Sequence, residues 1–203
     1  MNEFIIDTST GMAKPVRKPG KEIIDLGSGP WPKADATIRV DVNKWPGVDV
    51  MHDLSQTPYP FDSEIAEKIY FGDVIEHLSK FVVDDVLKEI NRILIPGGTL
   101  EVTTPDIDWV AERLYKKDWK EMANVDWLNK NCDPFEDAME VIFGGWLHPT
   151  EHAVPGMGHV NGFNEEKLRR YLKNNGFSET YRVPDERNPL PARGCVLKII
   201  AVK

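Results

Sequence analysis

The 203 residues carry 25 Lys and Arg against 33 Asp and Glu, a formal net charge of −8 at pH 7, and 41% of them are apolar. That size and apolar fraction suit one domain, residues 1–203, with a single core, and the charge argues against broad sequence-independent contact with nucleic acid or anionic lipid. Two cysteines, Cys132 and Cys195, are too few for a disulfide scaffold, and no apolar run approaches the ~20 residues of a membrane span, so a cytoplasmic protein in a reducing compartment is expected.

Residues 1–21, with Pro15, Pro19 and Gly20, read as an N-terminal arm or a short helix. Ile23–Leu26 is a short apolar run stopped by glycine, the pattern of a buried parallel strand. Thr37–Val42, Val48–His52 and Glu67–Phe71 suggest three more strands. In Phe81–Leu94 the residues Val82, Val83, Val86, Leu87, Ile90, Ile93 and Leu94 fall at helical spacing, and Pro96-Gly97-Gly98 stops that helix. Thr99–Thr104 is a fifth strand. Residues 106–163 read as a helical insertion or lid, with helical patterns near Ile107–Lys117 and Pro134–Phe143. Asn164 then offers an N-cap to a helix bearing Leu168, Tyr171 and Leu172, and Phe177–Val183 and Val196–Val202 close the chain as an antiparallel pair. The alternation predicts an α/β sheet, mainly parallel with an antiparallel last strand. One feature strains it: 29–37 and 43–47 are too short for helical crossovers, so parallel neighbours there must be joined by single turns or extended loops.

The chemistry centres on Asp25-Leu26-Gly27-Ser28-Gly29. Glycines at the carboxyl end of a parallel strand let the backbone turn sharply and approach a ligand, but Pro32 stands where a dinucleotide fingerprint has its third glycine. Asp41 ends the second predicted strand, where it can accept from a ribose diol; Asp53 ends the third, where it can accept from an adenine amine. Three such strand ends on one edge fit a nucleoside.

On "IIDLGSGP", "HDLSQTPYPF", "DVIEHL", "EINRILIPGG" and "LEVTTPD" the chain resembles class I S-adenosylmethionine-dependent methyltransferases, most of all small bacterial ones of the type 11-like group with unassigned substrates. The resemblance implies a Rossmann-like sheet and S-adenosylmethionine as cofactor. It places Asp25 near the cofactor's amino group, Gly27, Ser28 and Gly29 under its methionine portion, Asp41 at the ribose, Asp53 and Leu54 beside the adenine, and Gly72 and Asp73 at the methionine end. The expected reaction is O- or N-methylation of a small-molecule or glycan-type acceptor by in-line displacement, where alignment contributes most and a positioned base adds about 10²–10⁴-fold.

Two residues are candidate bases: Asp106 after the fifth strand, which also reads as an N-cap, and His159 in a glycine-rich loop. His77 reads as support for the pocket and Glu76 as structural. No bound metal is expected: His148 and His152 are four apart, but Pro149, Pro155, Gly156 and Gly158 make their stretch a loop. Trp146 is the candidate for substrate contact among the tryptophans. A nicotinamide-dependent oxidoreductase and a non-catalytic interaction module are the competing readings. Nucleic acid ranks low as a substrate, since "KLRRYLK" reads as the solvated face of a helix.

Overall fold

The computed structural model describes residues 4–6, 13–15, 20–118, 139, 141–144, 158–185 and 194–203. Its strands are β1 (Phe4–Ile6), β2 (Ala13–Pro15), β3 (Glu22–Leu26), β4 (Ile38–Asp41), β5 (Val50–Met51), β6 (Ala66–Gly72), β7 (Leu94–Pro105), β8 (Glu179–Arg182) and β9 (Val196–Val202). The described helices are α1 (Val83–Ile93), α2 (Ile107–Lys116) and α3 (Glu165–Asn174), with a 3₁₀ turn at Ile75–His77. β1 and β2 pair antiparallel in a sheet of their own, so part of the segment expected as an arm or a helix is a hairpin.

The main sheet has the order β5-β4-β3-β6-β7-β9-β8. β5, β4, β3, β6 and β7 are mutually parallel, and β9 runs antiparallel to both of its neighbours. This is the Rossmann-like arrangement the sequence predicts, including its antiparallel last strand.

Paired residues share a face of the sheet, so the register sorts the side chains. One row, Ile38, Ile24, Ile69, Leu100 and Ala201, is fully or almost fully buried. Against it α1 lays Val83, Val86, Leu87, Ile90 and Ile93, the i, i+3, i+4 stripe of an amphipathic helix, and α3 adds Leu168 and Leu172. Asn164 caps α3 by accepting from the Lys167 N–H at 2.9 Å. The adjacent row is Arg39, Asp25, Tyr70 and Glu101, polar across the parallel strands, before it reaches Ile200 on β9. Lys68 donates to the Tyr70 hydroxyl at 2.7 Å, Tyr70 donates to Asp35 at 2.9 Å, and Glu101 pairs with Lys198 at 2.9 Å and Lys68 at 3.5 Å.

That second face explains the short crossovers. Residues 27–37 contain no helix; the loop is pinned where the Asp25 carboxylate accepts from the Lys33 N–H at 2.8 Å, and Asp35 reaches Tyr70 from it. A sheet face on which Asp25, Tyr70 and Glu101 are hydrogen-bonded or ion-paired does not demand the apolar helix that a parallel crossover usually supplies. On the opposite side Glu89 of α1 accepts from the Tyr59 N–H at 2.7 Å and pairs with Arg92, whose guanidinium also donates to the Phe61 carbonyl at 2.8 Å and to Ser63. Those contacts are the physical content of "EINRIL": they clip the loop before β6 onto α1.

The helical pattern expected over Pro134–Phe143 falls largely outside the described residues, as do Cys132, Trp119, Trp127, Trp146, His148 and His152; positions 139 and 141–143 are helical. Among the described residues no helix is long and apolar enough to cross a membrane.

Candidate active site

β5, β4, β3 and β6 end side by side, and Asp25, Gly27, Ser28, Gly29, Asp41, Asp53, Leu54, Gly72 and Asp73 all lie within three residues of those ends. The centre is a knot of backbone and carboxylate. The N–H groups of Gly27 and Ser28 donate to the Val40 carbonyl, at 2.8 and 3.0 Å, and the Gly29 N–H donates to Asp41 Oδ2 at 2.9 Å. Asp41 Oδ1 takes the Asn43 N–H at 2.8 Å, and the Asp41 carbonyl takes the His52 N–H at 3.0 Å, which ties the turn before Asp53 to the same knot. A carboxylate offers about four acceptor positions, so the buried Asp41 retains capacity for a hydroxyl pair.

The two glycines do different things. Gly27 has φ +76° and a Cβ there would stand 2.3 Å from Val74 Cγ2, so it allows the turn to press against the residues after β6. Gly29, at φ +55°, has nothing within 4 Å of its Cβ position and faces open space. Beside it the Ser28 hydroxyl is buried with no hydrogen-bond partner among the described residues. A buried polar atom left unsatisfied next to an opening is what a ligand's polar group completes.

Asp53 is exposed and locked in a turn by the Ser55 N–H at 2.9 Å, while Leu54 is buried and its carbonyl takes the Tyr59 hydroxyl at 2.8 Å. Asp73 adopts φ +54°; its N–H donates to the Thr103 carbonyl and its carboxylate accepts from the Thr103 hydroxyl at 3.2 Å. Burial raises the Asp25 pKa above the usual carboxylate value, opposed by the Lys33 backbone N–H. Thr103 and Val74 thus shape the rim, and the sequence alone did not single them out.

The two candidate bases part company. Asp106 caps α2 by accepting from the Asp108 N–H at 3.2 Å, and its other oxygen takes Arg182 of β8 at 2.9 Å. Arg182 in turn reaches Glu165 at 3.0 Å. Asp106 is buried and lines a recess of about 210 Å³ that it shares with Asp108, Trp109, Glu112 and Arg182. Each of its oxygens thus carries one bond, Oδ1 to the first turn of α2 and Oδ2 to β8. His159 lies instead next to the turn after β6, its ring centroid 4.9 Å from that of His77 at 66°. Burial, and the neighbouring His77, push its imidazole down to about 4, so it is neutral at pH 7. The juxtaposition of His159 with Glu76 and His77 was not foreseen; nothing in local spacing links residues so far apart.

Residues 1–180 match the sequence model of a methyltransferase domain family. The chain belongs to this family. The protein is an S-adenosylmethionine-dependent methyltransferase, and the competing nicotinamide reading falls with that match. Solved structures agree at the level of fold. A methyltransferase from Thermotoga maritima shares 17% identity, covering 92% of this chain and 84% of its own, with a TM-score of 0.56. One from Archaeoglobus fulgidus shares 13%, covering 91% and 86%, at 0.57. A 1,6-didemethyltoxoflavin-N1-methyltransferase from Burkholderia thailandensis, with 1,6-didemethyltoxoflavin and S-adenosylhomocysteine bound, shares 14%, covering 91% and 72%, at 0.50. Among curated proteins no match is found.

Proposed function

We propose that this methyltransferase acts on a hydroxyl or amine of a small-molecule or glycan-type acceptor, with its cofactor lying along the β5-β4-β3-β6 rim. The observation that carries the reading is the Gly27–Gly29 turn: a glycine facing open space, a buried hydroxyl with no partner among the described residues, and a buried carboxylate with acceptor capacity to spare, all within one hydrogen-bonded knot. Asp41 would take the ribose hydroxyls, Asp53 and Leu54 would flank the adenine, and Gly27, Ser28 and Gly29 would run beneath the methionine portion. Asp25, Gly72 and Asp73 would border its amino end. When bound, the cofactor supplies a methyl group already activated on a cationic sulfonium, so the protein's task is alignment and removal of the acceptor's proton.

The acceptor side is assigned to the turn after β6, where His159 meets Glu76 and His77, while Asp106 caps α2 and pairs with Arg182. The small molecule bound to the Burkholderia neighbour and the formal charge of −8 both favour a small acceptor over a nucleic acid. Calorimetry with S-adenosylhomocysteine tests the cofactor rim: micromolar or tighter binding that Asp41→Ala weakens supports it, and a folded wild type that does not bind refutes it. Incubation with S-adenosylmethionine and panels of phenols, amines and sugars, read by mass spectrometry for methylated product, tests the acceptor class.

A further inference from the structure

We propose that Glu76, His77 and His159 form a binding site for one divalent transition-metal cation that engages the acceptor's hydroxyl or amine. This rests on the methyltransferase reading for its role but not for its chemistry. One ligand-type atom from each of the three side chains lies within 4.8 Å of the others. Two imidazoles and a carboxylate are a donor set that suits zinc, manganese, cobalt or ferrous iron better than magnesium or calcium, which prefer oxygen alone. Bond lengths of about 2.0–2.2 Å place such donors some 3–4 Å apart, a contraction within reach of small side-chain rotations.

The surroundings are those of a metal site and not of a chance meeting of side chains. His77 Nδ1 stands 3.3 Å from the Gly158 carbonyl and His159 Nδ1 stands 3.2 Å from the Ile142 carbonyl. A carbonyl only accepts, so each contact fixes the proton on Nδ1 of its ring, the outer-shell arrangement that orients metal-bound histidines. The two segments are also zipped together. The Val160 and Asn161 N–H groups both donate to the Glu76 carbonyl, at 2.9 and 3.0 Å, the His159 N–H donates to the Phe143 carbonyl, and the Asn161 side chain reaches the Leu78 carbonyl. The donors are thus held by backbone bonds made before any ion arrives, and Glu76 is 2% exposed while both histidines are half-buried.

Its position gives the cation its use. The 3₁₀ turn that carries Glu76 and His77 begins two residues after Asp73, at the methionine end of the proposed cofactor rim. A cation there lowers the pKa of an acceptor hydroxyl and holds its oxygen in place. The oxygen gives its proton to solvent and its electron pair to the methyl carbon; the carbon–sulfur bond breaks, and its pair stays on sulfur as a neutral thioether. No oxidant or reductant is needed. No local spacing in the sequence links Glu76 and His77 to His159; the fold brings them together.

The test uses the intact chain, stripped with a chelator and titrated with Co²⁺, read by visible absorbance and by calorimetry. One equivalent is expected, with affinity falling about tenfold or more in Glu76→Gln, His77→Ala and His159→Ala and unchanged in His52→Ala, His148→Ala and His152→Ala. These six variants cover all five histidines of the chain. S-adenosylhomocysteine affinity within about twofold of wild type certifies that each variant folds, and its absence in wild type alongside intact Co²⁺ binding would count against the cofactor rim alone. The proposal is overturned if wild type binds no stoichiometric Co²⁺, or if binding is lost in the His148 or His152 variants and kept in the other three. Turnover that survives chelation and loses its dependence on pH in His159→Ala would make His159 a direct base instead.

Discussion

Gly27→Ala isolates the contact on which the rim depends. The alanine Cβ would sit 2.3 Å from Val74 Cγ2, and the residue would keep a φ of +76°. The left-handed conformation costs an L-residue roughly 1–2 kcal/mol. Forcing a methyl into occupied space costs about 1–3 kcal/mol more. The expected loss is about 2–5 kcal/mol, a large part of the 5–15 kcal/mol typical of a domain. Val74→Ala separates the two contributions, because it removes Cγ1 and Cγ2 and leaves Val74 Cβ at a comfortable 3.6 Å. In that background Gly27→Ala should cost only the conformational part, so the double-mutant cycle should show a coupling of about 1–3 kcal/mol in favour of the pair. Urea unfolding at constant m measures all four proteins, and calorimetry with S-adenosylhomocysteine on the folded ones reports whether the turn still binds. A Gly27→Ala cost under about 0.5 kcal/mol, or the same cost with and without the Val74 methyls, would show that the glycine is not there to admit Val74.

Three further outcomes follow from the same geometry. Asp41→Ala removes the acceptor for Gly29 and Asn43 and, on the proposed reading, for the ribose; a charged hydrogen-bonding group is worth about 1.5–3 kcal/mol, so S-adenosylhomocysteine should bind some 10–100-fold more weakly, and calorimetry showing equal affinity would remove Asp41 from the rim. Asp106→Ala should lower stability by about 1–3 kcal/mol through the lost α2 cap and the Arg182 pair, with cofactor affinity unchanged; a hundredfold fall in turnover without loss of stability would restore it as the base. Glu89, paired with Arg92, is held below its ordinary 4.5, so its contribution is fully present above that value and fades as pH drops through the folded pKa. The stability gap between wild type and Glu89→Gln, about 1–3 kcal/mol near neutrality, should therefore narrow in acid, and a gap that widens there would contradict the pairing.

Much of the fold was legible because its signals are local. Val83, Val86, Leu87, Ile90 and Ile93 declare α1 by spacing, and Ile23–Leu26 declares β3 by a run of apolar residues that ends in glycine. The rim was legible for a related reason: Asp41 and Gly27 end predicted strands, and parallel strands bring their ends to one edge. What escaped reading depends on distant partners. The Arg182 partner of Asp106 comes from β8, far along the chain. His159 looked like a loop histidine until the sheet order set its segment against the turn after β6. The hairpin of β1 and β2 was missed because three-residue strands carry no periodicity to detect.

The short crossovers and the site share one cause. A parallel sheet usually hides both faces under helices, and residues 27–37 leave no room for one. The sequence answers with Arg39, Asp25, Tyr70 and Glu101 on the second face, so that its cover is a loop fastened by side chains: Asp25 to Lys33, Tyr70 to Asp35. The carboxylates that fasten these loops, Asp25 and Asp41, are also the ones assigned to the cofactor's amino end and its ribose. Where a helix crossover would hold the glycine turn by apolar packing, here it is held by groups that the ligand itself addresses. Binding and local order at the rim must then rise and fall together, while the core under α1 and α3, built on the opposite face from Ile24, Ile69 and Leu100, is left out of that exchange.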